Sequence, residues 1–213
     1  MVLKLYGSVG TPSTKRVAIV LHEKQIPYEL VKMDYSLQEH RADVYLEKNP
    51  FGLMPYLDDD GYIIYESRAI CRYLEMRYTS QGVTLIPTEV QAHGQFEEAA
   101  SIELCHFDQY ASPIFRSILG LETYDEDHIS KMIKMLNTTL DIYEKILGKQ
   151  KYLAGEEITL ADLFHLPLGA PLTAVLCDLM TARPNVARWW ADLTLRKSWK
   201  AVKDGTPRSL SSV

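Results

Sequence analysis

The first 78 residues switch repeatedly between the two-residue spacing of a strand and the wider spacing of a helix, and after Thr88 the strand signals largely disappear. Such a change of period confines the chain to an α/β unit followed by an all-helical one. Val2 to Tyr6 is a short β-rich run, and Arg16 to Lys24 (RVAIVLHEK) is apolar at helical spacing. Tyr28 to Met33 reads as a second strand, and Glu39 to Lys48 as a polar, exposed helix. Tyr56 to Asp58 and Tyr62 to Tyr65 flank DDDG, a hairpin turn signal. A helix then runs from Ser67 to about Tyr78, with Ile70, Tyr73, Leu74 and Arg77 along one side.

The order β-α-β-α-β-β-α makes the first two strands parallel and the last two an antiparallel hairpin. This is the thioredoxin-type arrangement. The segment TSQGVTLIPTE is rich in turn formers and marks a boundary, giving a domain over 1–80 and a second over 88–213. In the second, residues 91–119 are helical in character and Glu126 to Leu147 keeps an i, i+3, i+4 period. Thr159 to Asp162 (TLAD) carries a capping-box pattern, a hydroxyl at the cap and a carboxylate three residues on. Pro167 and Pro171 are expected to kink that helix or end it early. Trp189, Trp190 and Trp199 fall in short terminal helices.

Composition narrows the function. The 213 residues are 46% hydrophobic, enough to bury real cores, and the net charge of −5 argues against a nucleic-acid partner. No apolar run is long enough to span a bilayer, so no membrane partner is expected, and MVLKLYGS lacks the core of a signal peptide. Cys71, Cys105 and Cys177 are scattered without CxxC spacing, as in a reducing compartment. A soluble, cytoplasmic protein is expected.

Thioredoxin-type redox proteins place CPxC after the first strand, where the helix N-terminus stabilises a thiolate. Here that turn reads Thr11-Pro12-Ser13-Thr14. Hydroxyls stand where sulfurs would be, so the thiol is expected to arrive on a ligand. In GLMPYL, Pro55 precedes a strand at the place where this fold keeps a cis bond, freeing the Met54 backbone to pair with an extended peptide. Glu66 and Ser67 open the next helix: Ser67 offers a hydroxyl and N–H groups to a carboxylate, and Glu66 accepts from an ammonium. A thiol, a peptide, a carboxylate and an amine together describe glutathione.

These residues resemble a glutathione transferase of the phi class of plants and fungi. The similar stretches are STKRVAIVLHEK, LQEH, NPFGLMP, YESRAICRYL, YLAGEEITLADLFHLP and ARPNVARWWADLTLR, which cover nearly the whole chain. The resemblance implies glutathione contacts from His40 and Arg41, backbone pairing by Met54 before a cis-Pro55, and capture of the γ-glutamyl end by Glu66 and Ser67. Leu53 stands where the family usually has Gln. The thiol-activating serine of the family falls on Thr11, with Ser13 as the alternative. Activation at neutral pH needs a pKa drop of roughly 2 units, about 2.7 kcal/mol, and a hydrogen bond to a charge supplies roughly 1.5–3 kcal/mol.

Thr-Pro at a helix start is also an ordinary cap, and a Thr11 oxygen spent on helix N–H groups would compete with thiolate binding. For the hydrophobic electrophile, the resemblance points to Tyr35 and Leu37 and to His106, Tyr110, Ile114 and Phe115 on the first long helix of the second domain. The expected function is thiol activation of glutathione, as co-substrate, for conjugation and peroxide reduction, by a homodimer that needs no metal. The alternatives are a ligandin-type carrier of apolar or aromatic molecules, and a transferase-like interaction module.

Overall fold

Leu3, Leu5 and Gly7 alternate inward with Lys4 and Tyr6 to make β1 (Leu3–Gly7) one of the two interior strands of the sheet. The computed structural model describes residues 2–209, in two compact units: residues 2–84 with 196–209, and Leu85–Leu195. In the first unit the strand order is β2-β1-β3-β4, with β2 Tyr28–Lys32, β3 Tyr56–Asp59 and β4 Tyr62–Tyr65. Strands β1 and β2 are parallel in the register Leu3↔Tyr28 to Gly7↔Lys32; β3 pairs antiparallel with both β1 and β4.

Helix α1 (Pro12–Glu23) starts ahead of its apolar run because Pro12, at the first helical position, needs no N–H partner and brings a helical φ. Its residues Val17 to Leu21 are all fully buried, since the helix packs on both α3 (Ser67–Arg77) and α10 (Lys197–Val202). The expected helix over 39–48 is instead a 3-10 turn, Glu39–Arg41, and a one-turn helix α2, Asp43–Leu46. Ala42 separates them in an extended conformation, and Tyr45 of α2 is buried rather than exposed.

The tail from Arg196 groups with the first unit, against the expected range 88–213. The reason is a charge. Glu23, buried at the end of α1, is held by a bidentate pair from Arg196 (Nε 2.6 Å, Nη2 2.7 Å) and accepts from the Ser198 hydroxyl. Further along, the Leu30 N–H on edge strand β2 donates to the Arg208 carbonyl (2.7 Å) and Tyr28 OH to the Pro207 carbonyl (3.2 Å). The ends of the two expected ranges, residue 1 and residues 210–213, lie outside the described residues.

The second unit is helical: α4 Val90–Ile102, a π-helical segment Glu103–Asp108, α5 Gln109–Ile118, α6 Glu126–Leu147, α7 Leu160–Leu163, α8 Leu166–Val175 and α9 Pro184–Leu195. The capping box forms at α7, where the Asp162 carboxylate accepts from both the N–H (2.9 Å) and the hydroxyl (3.1 Å) of Thr159. That helix does end early, at Leu163; Pro167 then sits in the first turn of α8 and Pro171 inside it. Asp162 lies in a buried polar network that also includes the Leu153 N–H, Trp189 Nε1–H and, beside them, His165. His165 Nδ1 donates to the Ala161 carbonyl (2.8 Å), which leaves Nε2 to accept from Tyr143 OH (3.0 Å). Burial holds its imidazole below the ordinary pKa, against the pull of Glu103 and Asp162.

Candidate active site

The end of β1 and the start of α1 bring together Gly7, Thr11 and Thr14. Thr11 is extended (φ −73°, ψ 138°) and half-buried, and its side chain makes no hydrogen bond to the helix N–H groups. Its Oγ1 donates to the Ser8 carbonyl (3.2 Å) and lies 2.7 Å from Thr14 Oγ1. The hydroxyl is therefore not consumed as a cap. Ser13, the alternative, is also half-buried.

The Met54-Pro55 bond is cis, as expected from the sequence, with Pro55 buried and Met54 half-buried. The carbonyl before Met54, that of Leu53, is clamped by Tyr45 OH (2.9 Å) and Asn49 Nδ2 (2.6 Å). Neither support has a local pattern of its own in the sequence; Asn49 is buried, and both side chains reach Leu53 through the fold of the loop. The Leu53 side chain itself is 53% exposed.

Gly52 permits the loop to close on the next pair. It has φ +57°, and a Cβ there would lie 2.8 Å from Arg41 Nη1 and 3.0 Å from the His40 carbonyl. Arg41 is exposed and donates to the Phe51 carbonyl (3.2 Å). His40 is buried, stacks flat on Tyr35 (centroids 4.8 Å, planes 9° apart), and its buried Nδ1 has no hydrogen-bond partner among the described residues. Desolvation, then the Arg41 charge, holds its pKa below the ordinary value. A cavity of about 360 Å³ is lined by Tyr35, Ser36, Gln38, His40 and Arg41. Tyr35 therefore stands with the expected glutathione contacts rather than apart from them.

At the opening of α3, Glu66 is exposed and has φ 70° and ψ 107°. A non-glycine residue held there costs on the order of 1–3 kcal/mol, a strain that clusters at ligand clamps. Ser67 is buried, and its Oγ accepts from Arg16 Nη1 (3.0 Å). Because a guanidinium only donates, that bond leaves the Ser67 hydroxyl proton free for an anion. Arg16, at the head of the apolar run and next to Lys15, carries no local signal of this contact, which forms only when α1 packs on α3. Cys71 is fully buried, and desolvation pushes its thiol up to about 12, so it is a packed thiol.

Of the residues expected to meet an electrophile, Leu37 is 71% exposed, His106 is exposed, and Tyr110 and Phe115 are half-buried. Ile114 is a correction. It is only 1% exposed, a core position on the face of α5 that packs on α6 and α8, and so does not line an open site. Among the described residues no cluster of His, Cys, Asp or Glu is arranged to hold a metal ion, and no helix is long and apolar enough to cross a membrane.

Glutathione S-transferase family domains match this chain: the N-terminal domain over residues 5–82 and the C-terminal domain over 107–196. Glutathione S-transferase hmp2 of Hypomyces subiculosus is 42% identical over 207 residues, 93% of this chain and 96% of its own. The crystal structure of glutathione transferase F7 from Populus trichocarpa has a TM-score of 0.91 at 35% identity, covering 97% of this chain and all (100%) of that one. Glutathione S-transferase I from maize, solved in complex with an atrazine glutathione conjugate, has a TM-score of 0.87 at 30% identity, covering 96% and 97%. A thioredoxin-like unit with a mixed four-stranded sheet, joined to a helical unit, is the architecture these proteins share. The chain belongs to the glutathione S-transferase family, among its phi-class members, and is an enzyme that conjugates its co-substrate glutathione.

Proposed function

We propose that the enzyme activates bound glutathione through Thr11 and directs the thiolate at hydrophobic electrophiles, with peroxide reduction as a second use of the same thiolate. The carrying observation is that the Thr11 hydroxyl is not spent on the helix start. The thiol proton passes to solvent, the thiolate forms a bond to the electrophilic carbon, and the leaving group departs. The Thr11 O–H and the N-terminus of α1 stabilise the charge on sulfur.

Met54 pairs with the cysteinyl backbone, and Leu53 precedes it in a carbonyl clamp. His40 and Arg41 take the glycyl end, with Tyr35 stacked behind. Glu66 accepts from the γ-glutamyl ammonium and Ser67 donates to its carboxylate. Leu37, His106, Tyr110 and Phe115 are assigned to the electrophile. Ser67→Ala is expected to raise the KM for glutathione roughly tenfold or more, the loss of one hydrogen bond to a charge, with little change in kcat. The test is a glutathione-dependent panel of aryl halides and hydroperoxides run on wild type and Ser67→Ala; no turnover of any of them by wild type would contradict the proposal.

The enzyme is proposed to work in the cytoplasm as a homodimer. Phe51 is the candidate anchor: it is 61% exposed, tilted against Tyr65 at 6.0 Å, in a polar loop. Sedimentation at micromolar concentration is expected to give a dimer for wild type and a shift toward monomer for Phe51→Ala. A wild-type monomer would rule the assembly out.

A further inference from the structure

We infer that Thr14 is a positioning residue for thiol activation: its hydroxyl donates to Thr11 Oγ1, and this fixes the Thr11 proton as the one available to the glutathione sulfur. The inference rests on Thr11 being the activating group.

Two hydroxyls 2.7 Å apart share one hydrogen bond, and either oxygen is a possible donor. Burial decides between them. Thr14 is fully buried, and among the described residues Thr11 Oγ1 is the only hydrogen-bond partner of its hydroxyl. Thr11 is half-buried and has a second acceptor in reach, the Ser8 carbonyl at 3.2 Å. If Thr14 donates, both protons are satisfied: Thr14 to Thr11, and Thr11 to Ser8. If Thr11 donates to Thr14, the Thr14 proton is buried with no acceptor, which disfavours that arrangement roughly tenfold or more.

The resting bond that Thr11 must give up is the weaker one, since 3.2 Å is long for a hydroxyl donor and 2.7 Å is ideal. A thiolate can take the Thr11 proton without disturbing the bond from Thr14. Accepting that bond also polarises the Thr11 hydroxyl and makes it a stronger donor. The same bond accounts for the missing cap, because the Thr11 oxygen is turned toward Thr14 rather than the helix N–H groups.

Gly7 makes room for the relay. A Cβ at residue 7 would lie 2.5 Å from Thr14 Oγ1, 3.0 Å from its Cγ2 and 3.2 Å from the Pro55 Cβ. The close approach of β1 and the stiff χ1 of threonine hold Thr14 in one rotamer.

The experiment titrates the thiolate absorbance of enzyme-bound glutathione, with rates, for wild type, Thr14→Val, Thr14→Ser, Thr11→Val and the double valine variant. Thr14→Val is expected to raise the bound thiol pKa and to lower kcat/KM at neutral pH about three- to tenfold. The KM for glutathione should stay near wild type, and serine should restore the pKa. The double variant should be no worse than Thr11→Val alone, because Thr14 acts only through Thr11. Should Thr14→Val not fold, Thr14→Ala carries the same expectation. A bound thiol pKa unchanged in Thr14→Val, or additive losses in the double variant, would overturn the relay. An unchanged Thr11→Val would instead overturn the role of Thr11, so the two failures are distinguishable.

Discussion

Asp162→Ala is expected to lower the stability of the protein by about 3–5 kcal/mol. The carboxylate is fully buried, and both of its oxygens are occupied. Oδ1 accepts from the Leu153 N–H (3.0 Å) and Trp189 Nε1–H (2.9 Å), and Oδ2 from the Thr159 N–H (2.9 Å) and hydroxyl (3.1 Å). Alanine removes every acceptor at once. Three N–H donors are left in surroundings without water, each at a cost of roughly 1–3 kcal/mol before relaxation. Burial pushes the Asp162 carboxyl above its ordinary pKa, but four converging donors favour the ionised form. Asp162→Asn keeps one acceptor while turning an amide against donors, so its loss should lie between alanine and wild type. Urea unfolding followed by tryptophan fluorescence measures all three. An alanine variant within about 1 kcal/mol of wild type would show that the network is not a main support of the helical unit.

This network was half legible in the sequence. Thr159 and Asp162 are three residues apart, and local spacing is what a capping pattern encodes. Its other members, Leu153 and Trp189, lie at distances along the chain that no periodicity records. The same division runs through the fold. The hairpin at Asp58–Gly61 and the limits of α6 follow from turn chemistry and a sustained period, and both are found. The grouping of the tail with the first unit depends on Arg196 meeting Glu23, a pairing across most of the chain that no local pattern encodes.

At the proposed site, residue type and family position together point to Thr11, Met54, Pro55, Glu66 and Ser67. They did not give the groups that hold these in place. Arg16 behind Ser67, Asn49 and Tyr45 behind Leu53, and Thr14 behind Thr11 act through contacts that appear only when strands and helices pack. Ile114 failed for the opposite reason. Helical spacing marks it as one of a face, but whether that face meets a neighbour or a ligand is decided by tertiary packing, and it is buried.

The second large effect is expected at Thr11. Thr11→Val keeps the shape and branching of the side chain and deletes its only hydrogen-bonding group. A hydrogen bond to a charged acceptor is worth roughly 1.5–3 kcal/mol, so the rate at neutral pH should fall by about ten- to a hundredfold. The affinity for glutathione should change little, because Met54, Glu66, Ser67, His40 and Arg41 are left intact. Thr11→Ser retains the donor and should equal or exceed wild type.

The most direct measurement is the thiol pKa of glutathione bound to wild type and to Thr11→Val, read from thiolate absorbance against pH. The expected result is a wild-type pKa roughly 2 units below that of the free thiol, and a rise of about 1–2 units in the valine variant. Two titrations that superimpose would contradict it and leave the helix N-terminus or Ser13 as the source of activation.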